Sequence, residues 1–398
     1  MTQTELCISI LGASGSIGVQ TIEVVLANQT RKCSIELLSV HKNWNALSHL
    51  LTKVAPKYLA VTHQNSVEPC KQLIKQLNLT CQIVTQQSEI LDICSASHVT
   101  HIICATSGID FLQLYYQLAL RGKHLLIANK ESLVVGGSYF IDAVRLGKAR
   151  ITPLDSEPHA IYQCINNALW RSCLKSSPEI ETVTITASGG PFVSLSKSEL
   201  EHVKIADALN HPTWKMGKKI SIDSATLINK GLEIIECCRL FTLKPNQIKT
   251  LIHRQSLVHG FVSFVDGSVL INMYYPTMKI PIAYGIFETR LNNSDKKSIT
   301  VEVLNSMCFE EVDQIRFPSI TLCYLALANG DCSTVALTAA NEIAVDSFLS
   351  GKIPFNAIIP IIERVVTDTN KSVTSFIDLI ELYKETLAKT EEVVKKVR

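Results

Sequence analysis

A glycine-rich turn near the start of the chain is the feature that most limits what it can fold into. The apolar run CISIL at 7–11 predicts a buried strand, and glycines follow at positions 12, 15 and 18, within an amphipathic pattern that continues to Ala27. Residues 35–40 predict a second strand. This order is typical of a βαβ unit whose turn binds the pyrophosphate of a dinucleotide. The GxxGxxG spacing is a variant common among NADP-dependent reductases, although the motif alone also fits a tight turn that only serves packing.

The alternation of apolar runs and helical patterns continues to about residue 150. Further strands are predicted at 58–62, 82–85, 101–104 and 124–127. Because strands joined by helices pair in parallel, we expect an α/β fold that begins with a Rossmann-like parallel sheet over residues 1–150.

The pattern changes after residue 150. Strands expected at 182–186, 250–253, 261–265 and 268–272 are joined by polar loops, which predicts an α+β catalytic domain over residues 151–290. The polar residues 291–312 predict a connecting arm. Helical patterns at 320–327, 335–349, 355–366 and 373–397 predict a C-terminal helical bundle over residues 313–398.

The end of the second strand indicates which dinucleotide is bound. His41, Lys42 and Asn43 follow it, where an NAD enzyme usually places Asp or Glu for the ribose 2′-hydroxyl. A lysine without an acid suits a 2′-phosphate, so the sequence favours NADPH.

Three carboxylates occur in polar segments rich in hydroxyls, amides and lysines. Asp155 and Glu157 are two positions apart, so on an extended segment both side chains would leave the same face. Glu233 is three positions after Lys230 and four after Asn229, so on a helix the three side chains would project from neighbouring positions. Carboxylate oxygens beside a lysine and an amide suit a hard divalent cation and a phosphorylated substrate.

Several other polar positions have both a functional and a structural interpretation. Lys130 follows a predicted strand at the edge where open sheets bind ligands, but could be a surface lysine at a helix start. Ser188-Gly189-Gly190 could cradle phosphate with backbone N–H groups or be an ordinary loop. His211, which precedes proline, could simply cap a turn. Trp214 lies in the polar segment 205–217, which we expect to be a mobile lid that closes over a ligand.

Composition excludes several classes of protein. The chain has 398 residues, 46% of them hydrophobic, and a net charge of +2, which gives no electrostatic case for nucleic acid or a membrane surface as partner. The start of the chain enters the first strand at once, so a bacterial-type cytoplasmic protein is expected, although a processed organellar form would look the same. We expect the 13 cysteines to be reduced thiols rather than disulfides or a zinc site, because no CxxC or Cys/His ladder occurs.

Six motifs together carry a resemblance to a known family. They are GASGSIG, LIANKESLV, PLDSEPHAI, TASGGPF, HPTWKMGKKISIDSATLINKGLE and HRQSLVHGFVSFVDGSV. In this order and spacing they resemble the 1-deoxy-D-xylulose 5-phosphate reductoisomerases of the methylerythritol phosphate route to isoprenoids. The likeness covers essentially the whole chain.

The resemblance implies a homodimeric enzyme that uses NADPH and a divalent cation to rearrange and reduce a sugar phosphate. It implies that Asp155, Glu157 and Glu233 bind Mg²⁺, Mn²⁺ or Co²⁺, and that Lys130 and His211 join them as catalytic residues. The implied substrate positions are Lys130, Ser156, Glu157, Ser188, His211, Trp214, Ser224, Asn229, Lys230 and Glu233. The implied nucleotide positions are Gly12, Ala13, Ser14, Gly15, Ser16, Ile17, Lys42, Asn43, Asn129, Glu131 and Gly217. The resemblance also implies a mobile lid at 205–217, in which Trp214 and Met216 close over the substrate and the nicotinamide.

The chain departs from the family pattern at a few positions. The family has His directly after the second carboxylate, where this chain has Pro158 and then His159, and His41 stands where the family has glycine. Pro158 removes a backbone N–H beside a proposed metal ligand. Pro158 therefore leaves open the alternative that the chain is a catalytically silent relative that acts as a binding or regulatory protein. A different NADP-dependent dehydrogenase, such as a semialdehyde or homoserine dehydrogenase, is the other alternative.

Overall fold

The computed structural model describes residues 5–28, 31–165, 179–214, 216–290 and 297–397. Two compact units are present. Among the described residues the first unit comprises those up to 129, 142–159 and 277–290, and the second comprises 130–141, 160–276 and the residues from 297 onward. The four-part division expected from the sequence stays a prediction.

The strands and helices are numbered in chain order. The strands are β1 (Leu6–Leu11), β2 (Cys33–Val40), β3 (Tyr58–Val61), β4 (Gln82–Val84), β5 (His101–Cys104), β6 (His124–Ile127), β7 (Arg150–Pro153), β8 (Ile180–Ala187), β9 (Ile248–Ile252), β10 (Val258–Phe264), β11 (Val269–Met273) and β12 (Glu310–Glu311). The helices are α1 (Ser16–Ala27), α2 (Leu47–Leu51), α3 (Gln64–Gln76), α4 (Gln87–Ser95), α5 (Leu112–Leu120), α6 (Lys130–Gly147), α7 (Ser156–Ile165), α8 (Ile205–Leu209), α9 (Lys218–Ala225), α10 (Ile228–Phe241), α11 (Lys279–Phe287), α12 (Val301–Asn305), α13 (Ser319–Ala328), α14 (Asp331–Leu349), α15 (Ile358–Thr367) and α16 (Phe376–Val397).

The first unit is built on a parallel sheet of seven strands in the order β4-β3-β2-β1-β5-β6-β7. All six residues of β1 are buried, because helices cover both faces of a parallel sheet. The chain changes direction across the sheet between β1 and β5, which pair in parallel from Ile8↔His101 to Leu11↔Cys104. Open α/β sheets bind ligands at such a switch point, beyond the carboxyl ends of the strands.

The second unit combines a mixed sheet with helices. Its five strands lie in the order β11-β10-β8-β9-β12, with β8 and β9 parallel and the other pairs antiparallel. One hydrophobic core joins α10 to the C-terminal helices: it contains Ile228, Leu232 and Ile235 as well as Cys323 and Ile358. The helix that carries Glu233 is therefore held by the bundle that the sequence predicted.

The fold class expected from the sequence is confirmed: a parallel α/β sheet, a second mixed sheet and a helical C-terminal region. Two segments contain regular structure within their expected bounds. The segment 291–312, expected to be a connecting arm, contains α12 and the short strand β12, and the segment 205–217, expected to be a mobile lid, begins with α8. In α8, Ala208 is fully buried and Ile205 and Leu209 pack against the core of the second unit, which is why this part is regular. Among the described residues, none of the helices combines the length and apolarity needed to cross a lipid bilayer.

Candidate active site

The turn after β1 has a backbone geometry that requires glycine. Gly12 has φ +92°, and a Cβ there would lie 2.4 Å from the carbonyl oxygen of Ala105. A Cβ on Gly18 would lie 2.4 Å from the carbonyl oxygen of Gly12. The turn is held from outside by Ser39 of β2, whose hydroxyl accepts the Gly12 N–H at 2.8 Å and whose carbonyl accepts the Ala13 N–H at 2.9 Å. The glycines are thus needed for close packing of the strand, turn and helix.

The same turn presents the start of α1 as an anion site. Gly15 is the N-cap of this 12-residue helix, and no side chain caps its first N–H groups. Gly15 and Ser16 are exposed, while Ser14 and Ile17 are partly buried. Free N–H groups and the helix dipole at an exposed helix start attract a phosphate. The geometry therefore fits the pyrophosphate of a dinucleotide.

Lys42 and Asn43 lie exposed just beyond the carboxyl end of β2, next to the turn after β1 in the same sheet. His41, which precedes them, bonds through Nδ1 to the Thr62 hydroxyl at 3.0 Å. Its ring meets that of His63 edge-on, with centroids 5.0 Å apart. The residues that follow β2 therefore include one lysine and one imidazole, with the His63 imidazole beside them, and none of residues 41–43 is acidic, which suits a phosphorylated ribose.

Asn129 has a structural role in the first unit. Its side chain is buried, and its amide donates to the carbonyl oxygens of Thr106 at 2.7 Å and Gly108 at 2.6 Å. These bonds fix the loop after β5, which borders the switch point of the sheet. Replacement of Asn129 would therefore change the conformation of this loop, in addition to any direct contact between Asn129 and the nucleotide.

Asp155, Ser156 and Glu157 do not form the extended segment that the sequence analysis assumed. The His159 N–H donates to the Asp155 carbonyl at 2.8 Å, and α7 begins at Ser156. The Ser156 N–H donates to Asp155 Oδ1 at 3.0 Å, and the Ser156 hydroxyl donates to Glu157 Oε2 at 2.6 Å. Asp155 thus stands at the helix start with Glu157 in its first turn, because the local hydrogen bonds favour a helix here.

This helix start also explains why Pro158 is tolerated. With Asp155 before the first helical residue, Pro158 is in the first turn of α7, where backbone N–H groups have no intrahelical acceptor. His159 is fully buried and its Nδ1 lies 2.7 Å from the Pro153 carbonyl oxygen, so Nδ1 carries a proton. The substitution therefore breaks no bond of the helix that carries Glu157.

Glu233 is the centre of a buried cluster in the second unit. Lys130 Nζ lies 2.7 Å from its Oε1, Asn229 donates to the same oxygen at 2.5 Å, and Lys230 pairs with its Oε2. Lys130 also donates to Asn229 Oδ1 at 2.9 Å. Burial alone would raise the pKa of Glu233, but the two ammonium groups outweigh it and lower the pKa. The carboxylate is therefore ionised, as a metal ligand must be.

The position of this cluster depends on two unusual backbone features of α10. Leu227, just before the helix, has φ +60°, a left-handed conformation that costs a non-glycine residue energy. Gly231 lies against α13, where an added Cβ would be 2.2 Å from the Sγ of Cys323. The glycine of the NKGLE motif is therefore needed for the close approach of two helices.

Glu131 is held by an ion-pair network that the sequence analysis had not identified. Lys219 Nζ lies 2.9 Å from Glu131 Oε1 and 2.8 Å from Asp223 Oδ2, and Asn341 donates to Asp223 Oδ1 at 2.8 Å. Burial would raise the pKa of Glu131, but the Lys219 ammonium outweighs it and the pKa is lowered. The spacing of Lys219 and Asp223 on α9 was the only local signal, since Asn341 is distant in sequence.

His211 connects two predicted phosphate-binding positions. The backbone N–H groups of Thr213 and Trp214 donate to its Nδ1 at 3.2 and 2.9 Å, so the proton of the neutral ring is on Nε2. Nε2 lies 3.0 Å from the Ser188 hydroxyl and 3.1 Å from that of Ser224. Burial lowers the pKa of His211 to about 4, which keeps the ring neutral near pH 7.

The loop that carries Ser188 also needs glycines. Gly189 and Gly190 have φ +84° and +65°, and a Cβ on Gly190 would lie 2.7 Å from the Ser224 carbonyl oxygen. The Gly190 N–H donates to the Ser188 hydroxyl at 3.2 Å. This brings the loop after β8 against α9, so two hydroxyls and an imidazole N–H converge where the sequence placed a phosphate.

Trp214 meets the ring of His259 edge-on. Its ring is 6.4 Å from that of His259 on β10, and His259 stacks on Tyr274 at 4.0 Å. Burial lowers the pKa of His259 to about 4. His259 was not singled out from the sequence, where it was one polar residue in the apolar run of β10. Met216 is partly buried and Gly217 is the exposed N-cap of α9.

Three sequence models of one family match consecutive parts of the chain. The model described as 1-deoxy-D-xylulose 5-phosphate reductoisomerase matches residues 8–137. Two models of the C-terminal domains of this enzyme match residues 151–241 and 273–389.

Curated relatives agree over nearly the whole length. The 1-deoxy-D-xylulose 5-phosphate reductoisomerase of Psychromonas ingrahamii is 35% identical over 393 residues, which cover 98% of each chain. The enzyme of the same name from Saccharophagus degradans is 38% identical over 91% of each chain.

Solved structures give the same result. A DOX-P reductoisomerase in complex with NADPH, fosmidomycin and magnesium matches with a TM-score of 0.89 and 32% identity, over 98% of each chain. The 1-deoxy-D-xylulose 5-phosphate reductoisomerase of Zymomonas mobilis in complex with NADPH matches with a TM-score of 0.87 and 30% identity, over 98% of this chain and 99% of that one.

Proposed function

Since the chain belongs to the 1-deoxy-D-xylulose 5-phosphate reductoisomerase family, we propose that its buried polar clusters carry the steps of that reaction. The chain is an NADP-dependent oxidoreductase that, with a divalent cation, rearranges and reduces 1-deoxy-D-xylulose 5-phosphate to 2-C-methyl-D-erythritol 4-phosphate in isoprenoid precursor synthesis. The assignment of individual residues below is our proposal.

The proposed ligands of the cation are Asp155, Glu157 and Glu233. Their carboxylates are hard oxygen donors, which suit Mg²⁺ or Mn²⁺. The observation that carries the proposal is the environment of the buried Glu233, whose two carboxylate oxygens each face a lysine ammonium, from Lys130 and Lys230. When bound, the cation supplies positive charge that stabilises developing negative charge on substrate oxygens.

Lys130 is proposed to act on the same oxygens. It is buried, and its ammonium is already oriented by Glu233 and Asn229. An ammonium held in place before the substrate arrives adds a positive field without reorganisation at the moment of reaction. Ser156 is proposed as a second polar contact of the substrate, because Glu157 accepts its proton and so orients the hydroxyl oxygen.

The substrate phosphate is proposed to bind at Ser188, Ser224, Asn229 and Lys230, with His211 beside them. The convergence of Ser188, Ser224 and the Nε2–H of His211 supports this. Phosphate binding supplies energy remote from the reacting carbons, which can close the segment 205–217 over the substrate and exclude water. Trp214 and Met216 are the proposed contacts of that lid.

NADPH is proposed to bind along the turn from Gly12 to Ile17, with Lys42 and Asn43 at the ribose phosphate. The uncapped start of α1 fits the pyrophosphate and the absence of an acid after β2 fits a 2′-phosphate. Asn129, Glu131 and Gly217 are further proposed positions of the nucleotide. When bound, NADPH supplies the hydride for the reduction.

We also propose a homodimer, in the cytoplasm of a bacterial-type cell. The edge strand β11 exposes Val269, Leu270 and Ile271 to the extent of 48%, 41% and 56%. An apolar edge strand left open would favour aggregation, whereas a two-fold copy would cover it. Ile271→Lys should then sediment as a monomer at concentrations where the natural chain is dimeric; an unchanged dimer would reject this edge as the interface.

The metal assignment is tested by NADPH oxidation with 1-deoxy-D-xylulose 5-phosphate and varied Mg²⁺. Glu233→Gln should lower kcat at least about 10²-fold, a cost of about 2.7 kcal/mol in transition-state stabilisation. It should also raise the Mg²⁺ concentration needed for half-maximal activity.

Glu236→Gln is the matched control, since Glu236 is also a buried carboxylate of α10, less than one turn further on. Near-normal turnover of Glu233→Gln at limiting Mg²⁺ would reject the assignment. An equal loss in both variants would show that any buried carboxylate of α10 matters, and not Glu233 as a ligand.

A further inference from the structure

Three potential metal ligands converge at the amino ends of the strands in the first unit. Cys7 is the second residue of β1, Glu36 lies in β2, and His98 precedes β5. Cys7 Sγ lies 3.7 Å from Glu36 Oε2, and His98 Nε2 lies 3.2 Å from the same oxygen. One ligand atom from each of the three lies within 4.8 Å of the other two.

The two distances to Glu36 are close to the edges of a tetrahedron around one small cation. Zinc binds sulfur at about 2.3 Å and nitrogen or oxygen at about 2.0 Å, so neighbouring ligands of a tetrahedral site lie about 3.3–3.5 Å apart. The observed 3.2 and 3.7 Å lie on either side of these values. Both contacts of Glu36 therefore already have nearly the spacing that a shared cation requires, and Sγ and Nε2 lie within 4.8 Å of each other.

We propose that Cys7, Glu36 and His98 form a site for Zn²⁺ or a similar borderline-soft divalent cation, separate from the carboxylate site of the reaction. A thiolate, an imidazole and one carboxylate are zinc ligands, whereas Mg²⁺ prefers oxygen alone. Binding moves the thiol proton of Cys7 to solvent, and the charges of thiolate and carboxylate then balance the cation. A water completes the four ligands.

The surroundings are consistent with a site that opens to solvent on one side. Cys7 and Glu36 are buried, with 7% and 8% exposure, whereas His98 is exposed. Lys57 Nζ lies 3.5 Å from Glu36 Oε1, the carboxylate oxygen on the other side from the proposed cation. Burial and the nearby Glu36 raise the pKa of the Cys7 thiol, so the cation must displace a proton. A bound cation would link the segment before β5, through His98, to Cys7 of β1 and Glu36 of β2.

The site would affect stability rather than turnover. Cys7 and His98 lie at the amino ends of β1 and β5, and Glu36 lies in the first half of β2, whereas the glycine turn and Lys42 lie at the carboxyl ends of β1 and β2. The sequence contains no CxxC and no Cys/His ladder, which is why no zinc site was expected from it. Cys7 and Glu36 are 29 residues apart and His98 is further still, so only the fold brings them together.

The experiment uses the full-length chain with excess Mg²⁺ to occupy the carboxylate site, and Co²⁺ as a spectroscopic substitute for zinc. A thiolate ligand gives a charge-transfer band in the near ultraviolet that carboxylates cannot give. We expect the band at one equivalent of Co²⁺, its loss on addition of Zn²⁺, and its absence in Cys7→Ser. His98→Gln should weaken Zn²⁺ binding at least about tenfold, because loss of even an indirect contact weakens metal sites by about 10–100-fold.

Cys33→Ser is the matched control, since Cys33 begins β2 beside Leu6 and is partly buried. It should keep the band. His98 is exposed, so His98→Gln should fold normally. Melting curves with and without Zn²⁺ should show the full rise in Tm for the natural chain and for Cys33→Ser, a smaller rise for His98→Gln and none for Cys7→Ser. No band in the natural chain, or an equal band in Cys7→Ser, would overturn the proposal.

Discussion

Gly231→Ala tests whether the approach of α10 to α13 positions the catalytic cluster. In an isolated helix, replacing glycine by alanine would stabilise the helix by about 1 kcal/mol. Here the new Cβ would lie 2.2 Å from Cys323 Sγ and 2.8 Å from its Cβ. The optimal distance between non-bonded heavy atoms is about 3.5–4.0 Å, so α10 and α13 must separate by more than about 1 Å. Overpacking of a core costs about 1–3 kcal/mol, and with the upper value the net loss of stability is about 2 kcal/mol.

The same displacement should reduce turnover. Glu233 lies two residues after Gly231 on α10, and about 1 Å of misplacement can cost about 10²-fold in rate. We therefore expect Gly231→Ala to lower the free energy of unfolding, measured in urea, and to lower kcat at least about tenfold.

The double variant Gly231→Ala/Cys323→Ala is the control, because it removes the shorter of the two contacts. It should recover at least about 1 kcal/mol relative to the sum of the single changes. If Gly231→Ala is neutral or stabilising, or if no coupling to Cys323 is measured, the close approach does not set the position of the cluster.

Three further predictions concern binding and the lid. Lys42→Ala should raise KM for NADPH far more than for NADH, because only NADPH carries the 2′-phosphate; equal changes would contradict the site, and so would a natural chain that prefers NADH. Lys230→Ala should weaken the binding of the phosphorylated substrate by about 2–4 kcal/mol, because a charge-assisted contact in a closed site is lost. A phosphonate inhibitor bound far from Lys230 would contradict this phosphate site. Substrate should protect the amides of 205–217 from exchange. The pKa of His211 in the folded segment is lowered from 6.5 to about 4, so protonation of His211 favours the open segment. Protection of the amides should therefore be full above pH 6.5 and be lost as the pH falls toward 4. Equal exchange with and without ligand at pH 7 would reject the lid.

Local pattern alone missed β7, whose residues were assigned to the start of the α+β domain, but it predicted the other six of the seven strands of the parallel sheet and the glycine turn after β1. This succeeded because a buried parallel strand is a short apolar run, and because the turn is formed by residues adjacent in sequence. The order of motifs likewise indicated the family, the cofactor class and the type of metal. These properties depend on residue types and on neighbours along the chain.

Local pattern failed where hydrogen bonds between neighbours changed the backbone. Asp155 to Glu157 was taken as extended, but Ser156 bonds to both carboxylates and α7 begins there. The same helix start accommodates Pro158 without the loss of a helix hydrogen bond, and its effect on turnover and metal affinity stays a prediction. The conformation of a few polar residues is decided by hydrogen bonds that no periodicity records.

Only the tertiary structure decided which distant side chains meet. Lys130 reaches Glu233 across 103 residues, and His211 takes its tautomer from the N–H groups of its own turn while facing Ser188 and Ser224. The contact of Gly231 with Cys323 has the same origin. Such pairs depend on how helices and strands pack, and packing is set by the summed burial of many apolar residues rather than by any one segment.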